Sequence, residues 1–512
     1  MHGAGKIEQH AKIEMLPDDV LLEIFDCFRL DAVTDPDPDR SDDPSSPAGL
    51  ACQWCPWEWN RLVHVCRRWR FLVFASPHRL DLRLVYTFKR PARLRKKALN
   101  SWPTLPIAIW YPWKSAVGGQ SSCLEDENNA SFALRYPDRI REINLFLTGS
   151  LLLKLGAVLV SFPSLEYLRL ESQYPAKSSP ALPVGFLGGS TPRLRDIYLI
   201  GIAFPTLPLL LLSTRDLISL RLDKLSAKGC FSPEALSIGL SMTTQLKFLR
   251  IQFLPLASRF SRGTGSAGRP LKACTVLPAL SEFHFCGDGP YLEDLVSRLD
   301  TPVLEQLKIT FLLPSSFDTL QLSQFISRTK SLASPHQMSI MLLGEEIFVA
   351  SKSQYSPLSK SSFLLKITCY EPDIHVTLPN ILTRLSPLLP DVQQLSMTSF
   401  IPWSLWLDPV GIDSALWLDF FRRLKSVTRL KVGCMFVPRM ESALGQLPEE
   451  MVRRVLPALQ DLYVGTCPTH RPFQKFADAR EVSGRPLNVY YAAPLPPPNT
   501  THLNESGSSA NS

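Results

Sequence analysis

Residues 163–170 read Pro-Ser-Leu-Glu-Tyr-Leu-Arg-Leu, and residues 192–199 read Pro-Arg-Leu-Arg-Asp-Ile-Tyr-Leu. Each carries an apolar residue, two variable ones, an apolar residue, one variable and an apolar residue, with proline two places upstream. The unit stands at Ile140/Ile143/Leu145, Leu165/Leu168/Leu170, Leu194/Ile197/Leu199, Leu217/Leu220/Leu222 and Leu246/Leu249/Ile251. It continues at Leu280/Phe283/Phe285, Leu304/Leu307/Ile309, Val392/Leu395/Met397, Val427/Leu430/Val432 and Leu459/Leu462/Val464. Proline fills the upstream slot at Pro163, Pro192, Pro278, Pro302, Pro390 and Pro457, and Pro137 is one residue off it. Ten copies in series, six of them with the proline, are too regular for chance.

The first seven copies start 25, 29, 23, 29, 34 and 24 residues apart, in or near the spacing of about 20–29 that marks leucine-rich repeats. Each unit supplies one short strand whose alternate side chains point inward. The chain must then climb back on the other side, usually as a helix, and Leu151–Val160 and Pro290–Leu299 suit that return. The gap from 304 to 392 is expected to hide two degenerate units, near Met338-Ser339-Ile340 and Leu365-Lys366-Ile367.

Composition agrees with a long array of short elements. The chain has 512 residues, 45% hydrophobic and 20% charged, with 44 prolines, more than one compact core usually holds and too much proline for long helices. Eleven scattered cysteines read as thiols in a reducing compartment, cytoplasmic or nuclear, and no secretory signal is visible at the N-terminus. Glycosylation at Asn129, Asn499 and Asn504 is then not expected. Ile143–Leu165 is apolar enough to imitate a membrane span, but Gly149-Ser150 and Phe162-Pro163 break it and its ends match the repeat, so no membrane association is expected. The net charge of +8 is mild for this length and does not call for nucleic acid. The basic run from Lys89 to Lys97 reads as a solvated face, with nuclear import or an acidic partner as the alternative.

Ahead of the repeats, residues 13–30 read as a helix: Asp18 is an N-cap after Leu16-Pro17, and Val20, Leu21, Ile24, Phe25 and Phe28 share a face. Residues 31–56 are acidic and rich in Pro and Ser, an insert unable to build a core. Helical patterning resumes at Trp59, Leu62, Val65, Cys66, Trp69 and Leu72. The run Leu16-Pro17-Asp18-Asp19-Val20-Leu21-Leu22-Glu23-Ile24-Phe25, together with Val65-Cys66-Arg67-Arg68-Trp69-Arg70, resembles an F-box. The repeats behind it resemble, more loosely, the substrate-binding part of F-box–leucine-rich-repeat proteins.

That resemblance implies an α/β architecture: a helical F-box over 13–80 with the insert at 31–56, then a connecting region over 81–135. The repeat motif itself gives an irregular leucine-rich-repeat solenoid with a parallel sheet on its concave face over 136–467, and the Pro-, Asn- and Ser-rich composition of 468–512 gives a disordered tail. The resemblance implies the substrate-recognition subunit of an SCF-type cullin–RING ubiquitin ligase. A Skp-type adaptor, and through it cullin, would dock at Leu16, Pro17, Ile24, Phe25, Leu62, Val65, Cys66 and Trp69. The insert is the departure, because the family usually has a short connection there. A repeat scaffold acting outside a ligase is the alternative.

No catalytic site is expected. Gly263–Gly268 matches a dinucleotide fingerprint by letters, but a polar stretch precedes it and Arg269-Pro270 follows where a helix should begin. Cys52 and Cys55, with His64 and Cys66, could supply four zinc ligands, but there is no second Cys-x-x-Cys and Cys66 belongs to the F-box helix; neither metal nor cofactor is expected. The substrate would meet the column between the last two apolar positions of each unit: Asn144, Arg169, Tyr198, Arg221, Arg250, His284, Lys308, Ser396, Lys431 and Tyr463. Five of these ten are Lys or Arg and none is acidic. An acidic or phosphorylated protein segment gripped by Arg169, Arg221 and Arg250 is one reading. The other is an ordinary surface ladder answered by Glu171, Asp196, Asp223 and Glu282.

Overall fold

The upstream proline is explained by the turn it occupies. The N–H of the first apolar residue of a unit donates to the carbonyl three residues earlier: Leu165 to Phe162 (3.2 Å), Leu194 to Thr191 (3.2 Å), Leu280 to Leu277 (3.3 Å), Leu304 to Thr301 (3.3 Å) and Leu459 to Leu456 (3.1 Å). Pro163, Pro192, Pro278, Pro302 and Pro457 are the second residues of these turns, where a fixed φ near −65° is wanted and no N–H is used. Leu246 makes the same turn with Thr243 without a proline (3.2 Å).

The computed structural model describes residues 13–30, 62–76, 84–86, 105–111, 130–172, 181–226, 231–254, 274–311, 319–329, 331–332, 336–344, 346–351, 363–368, 374–389, 391–399, 414–465 and 471–492. Pro390, the insert at 31–56, the basic run, Gly263–Gly268 and the last twenty residues lie outside them. The chain forms two units, Met1–Leu217 and Ile218–Ser512.

The first unit opens with helices α1 (Asp18–Leu30) and α2 (Arg67–Ala75). Strands β1 (Leu84–Tyr86), β2 (Ile107–Tyr111), β3 (Ile140–Leu147), β4 (Tyr167–Ser172) and β5 (Asp196–Ile200) then pair in chain order, all parallel. Residues 81–135, read as a connecting region, therefore supply the first two strands. Helices α3 (Gly149–Gly156) and α4 (Leu207–Leu211) follow β3 and β5.

The second unit runs β6 (Ser219–Leu225), α5 (Pro233–Leu240), β7 (Phe248–Phe253), β8 (Thr275–Val276), β9 (Glu282–Gly287), α6 (Gly289–Ser297), β10 (Leu299–Asp300), β11 (Gln306–Phe311) and α7 (Leu320–Arg328). It continues with β12 (Gln337–Leu343), β13 (Glu346–Ser351), β14 (Phe363–Thr368), α8 (Ile374–Leu385), β15 (Gln394–Ser399) and α9 (Ser414–Arg423). Strand β16 (Arg429–Val432), α10 (Val437–Gly445), α11 (Glu449–Val452), β17 (Asp461–Val464), α12 (Gln474–Val482) and β18 (Asn488–Tyr491) complete it. Its sheet order is β6-β7-β9-β11-β14-β13-β12-β15-β16-β17-β18, with β8 and β10 paired separately. The thirty apolar motif residues named above are all buried, none more than 2% exposed. Strands such as β7, β9 and β11 hide one row and present the other, as a period of two requires.

Two expectations are corrected. The strands near Met338 and Leu365 exist, but not as two successive parallel units. β12 and β13 form an antiparallel pair that turns at Gly344, whose φ is +57°, and β13 also runs antiparallel to β14. The later strand β14 lies beside β11, and β12 lies beside β15. Alternating burial is the same for either direction of pairing, so pattern could not reveal the order, and β13 has no repeat motif.

The second correction concerns 468–512. Residues 474–482 form α12 and 488–491 form β18, parallel to β17, so the stack extends at least to Tyr491. Arg480 holds this last turn. It is 1% exposed, its Nη1 donates to the Leu456 carbonyl (3.1 Å), Nη2 to Leu459 (2.8 Å) and Nε to Arg485 (3.3 Å). Its guanidinium also lies 5.8 Å from the Phe476 ring. Burial, aided by Arg485, lowers its pKa from the ordinary arginine value. Replacing Arg480 with Met should leave the Leu456 and Leu459 carbonyls without these donors and cost about 2–4 kcal/mol. Denaturant titration, with hydrogen exchange concentrated at 456–491, checks this.

Candidate functional site

Two surfaces carry the residues singled out by the sequence. The first is the helix pair of the N-terminal unit. The Phe25 and Trp69 rings meet edge to face at 4.7 Å, and Leu21, Leu22, Leu62, Val63, Leu72 and Val73 are buried. Arg68 ties α2 back to the start of α1, donating from Nε to Asp18 Oδ1 (3.0 Å) and from Nη2 to the Leu16 carbonyl (2.6 Å). The Cys66 Sγ caps α2 by accepting from the Trp69 N–H at 3.4 Å, and this thiol is exposed.

The eight proposed adaptor positions therefore divide. Phe25 and Leu62 are interior and hold the helices together. Leu16, Ile24 and Trp69 are half-buried, while Pro17, Val65 and Cys66 are exposed. Sequence reasoning passed over Met15 and Phe71, 79% and 72% exposed. Phe71 and Phe74 line an open depression with Arg67, Arg70 and Ala75. Phe71 could have been found as a large aromatic on the helix edge opposite Leu72 and Val73. Cys52 and Cys55 lie outside the described residues, and among those described no three His, Cys, Asp or Glu groups gather as a metal site.

The second surface is the open face of the strands. In the first unit Asn144 is in register with Arg169, and Arg169 with Tyr198. In the second, Arg221, Arg250, His284 and Lys308 are successive register partners, and so are Ser396, Lys431, Tyr463 and Tyr490. The expected columns exist, but most of their charge is answered locally. Arg169 Nη2 lies 3.3 Å from Glu171, and its guanidinium is 4.8 Å from the Tyr198 ring. Arg250 Nε lies 3.0 Å from the buried Asp223, and its Nη2 donates to Gln252 at 3.3 Å. Arg221 sits over the Phe248 ring at 4.5 Å. His284 is 3.8 Å from Glu282 and meets the Phe248 ring edge on at 5.0 Å. Lys308 and Lys431 make no ion pair among the described residues. The acids weighed as flanking partners thus engage Arg169, Arg250 and His284, and the guanidinium forks proposed to grip a substrate are already in use.

Cys286 lies on the same face, in register with Gln252 and Thr310. Burial pushes its thiol up to about 11, against the pull of Arg250 and Lys366. A raised pKa keeps the thiol neutral until the pH nears that value, leaving a thiolate fraction of about 10⁻³ at pH 8. Alkylation at pH 8, mapped by mass spectrometry, should therefore label the exposed Cys274 at least ~10-fold faster than Cys286, with Cys286 labelling rising steeply above pH 10.

Strands entered through one recurrent turn, with one leucine-rich motif per unit, define a leucine-rich-repeat-like protein. No protein-family model matches the chain, and no curated protein matches it. Among solved structures it is similar to the leucine-rich repeat-containing protein LegL7 from Legionella pneumophila, with 12% identity over 78% of this chain and 98% of that one and a TM-score of 0.22. A TM-score that low carries no argument, and the class rests on the motif, the turn and the register. No helix among the described residues is long and apolar enough to cross a membrane.

Proposed function

We propose that the chain is a non-catalytic receptor whose repeats bind a partner protein and whose N-terminal helices dock a Skp-type adaptor. Through that adaptor and cullin it would act as the substrate-recognition subunit of an SCF-type ubiquitin ligase. The observation that carries the reading is the uncovered apolar surface of the helix pair. Phe25 and Trp69 account for its interior, yet Ile13, Met15, Val20, Val65 and Phe71 are 41–79% exposed. That many exposed apolar side chains on one small helix pair favour a partner that covers them. Arg67 and Arg70 rim the depression at Phe71, which suits a partner that is apolar at its centre and acidic at its edge. The resemblance of residues 13–80 to an F-box supplies the kind of partner.

Val65→Asp combined with Phe71→Ser should reduce affinity for a purified Skp-type adaptor by ~100-fold or more, as loss of two interface anchors does. Both side chains face solvent, so circular dichroism and thermal unfolding of the variant should match the parent. Leu16→Ala with Pro17→Ala should weaken the same binding. Titration calorimetry decides: undiminished affinity in the first variant removes the ligase reading and leaves a repeat scaffold.

A further inference from the structure

The inserted strands of the second unit change the chemistry of its open face. On β6, β7, β9 and β11 that face presents Arg221, Arg250, His284 and Lys308. On β14, β13 and β12 the equivalent positions hold Leu364, Ala350 and Ser339, matched in register to Lys308 on one side and Ser396 on the other. Lys431 follows Ser396 on β16. The neighbouring row runs Lys366, Phe348, Met341, Thr398. Leu364, Phe348 and Met341 are only half-buried, while the opposite face of the same strands is fully buried. In the first row, Ser339 is half-buried and Ala350 is buried, 1% exposed.

Charge frames this apolar stretch. Lys308 and Lys431 stand at the two ends of the first row, neither with an ion pair among the described residues. Lys366 in the second row is held by Glu346 at 2.6 Å and lies 5.6 Å from the Phe348 ring. The acids that answer the arginines of β6–β9 have no counterpart in the first row between Lys308 and Lys431. From β11 to β16 there are five strand steps, about 24 Å at ~4.8 Å each, the reach of about seven extended residues.

We infer that this patch receives an extended segment of a partner protein, about seven residues long, apolar in its middle and carrying Asp or Glu at both ends. Its apolar side chains cover Leu364, Phe348 and Met341, and its carboxylates meet the Lys308 and Lys431 ammonium groups. The inference rests on the reading of the repeats as the partner-binding part of the chain, and it names the partner's chemistry. It places recognition on the inserted strands rather than on Arg169, Arg221 and Arg250, whose charges are answered from within the protein.

The test selects displayed random peptides of about twelve residues on the full chain. Enriched sequences should hold Leu, Ile, Phe or Met flanked on both sides by Asp or Glu. Fluorescence anisotropy of the leading peptide should show about tenfold or greater loss of affinity in Lys308→Gln/Lys431→Gln and in Phe348→Ser. Binding should also weaken as salt rises from about 50 to 300 mM. The lysine variant keeps the test valid if Phe348→Ser does not fold. Absent enrichment, neutral selected sequences, or affinity unchanged in both variants overturns the inference. So does self-association of the chain that Phe348→Ser abolishes, which would make the occupant a second copy. Adaptor binding measured on the same preparations separates this failure from failure of the ligase reading, since neither variant touches the helix pair.

Discussion

One hydrogen bond recurs at the entry to eight of the ten motif strands: the N–H of the first motif residue donating to the carbonyl three residues upstream. It closes the turn that delivers the chain into the strand. At Thr243 the same residue also ends the preceding helix, its hydroxyl donating to the Leu240 carbonyl at 2.8 Å while its carbonyl receives Leu246. The residue after the motif's start then bonds to the previous strand, as Ser281 does to Lys247 (2.9 Å) and Glu305 to Ser281 (2.8 Å). Helix end, turn and ladder are thereby in fixed phase, and every side chain after the turn is committed to one face. A buried backbone group left unpaired would cost about 1–3 kcal/mol, so a slip in this phase is penalised in each unit that makes the bond.

That phase sets the electrostatics. Once alternate residues are held on the open face, charges on neighbouring strands are about 4.8 Å apart, and a row of cations is tolerated only with nearby compensation. Asp223 beside Arg250, Glu171 beside Arg169 and the Phe248 ring beneath Arg221 provide it. Glu346 does the same for Lys366. The face is therefore mostly self-neutralised, and its uncompensated groups are few and local.

The exceptions to the repeat fall where something other than a strand-to-strand climb is needed. A tight turn at Gly344 replaces a helical return and brings in β13, reversed, with apolar residues on the open face. Beside β17 and β18 Arg480 supplies three donors to the carbonyls of Leu456, Leu459 and Arg485. In the helix pair, Arg68 spans fifty residues of sequence to bond Asp18 and the Leu16 carbonyl, tying α2 to the start of α1.

The repeat class, the ten motif strands and their buried rows were legible in the sequence, because a period of two and a proline two residues upstream are local consequences of one turn. The open-face columns were legible for the same reason. What tertiary structure decided was neighbourhood. Whether Arg250 is free or paired depends on Asp223, one strand away and held by a register that sequence spacing does not state. The order β11-β14-β13-β12-β15 depends on which strands find one another, and alternation reads identically in both directions. The division of the F-box-like positions into an interior set with Phe25 and an outer set with Val65 depends on how two helices separated by an insert pack. Periodicity within a segment is written in the segment, whereas the partner across a strand or helix contact is fixed only when the chain has folded back on itself.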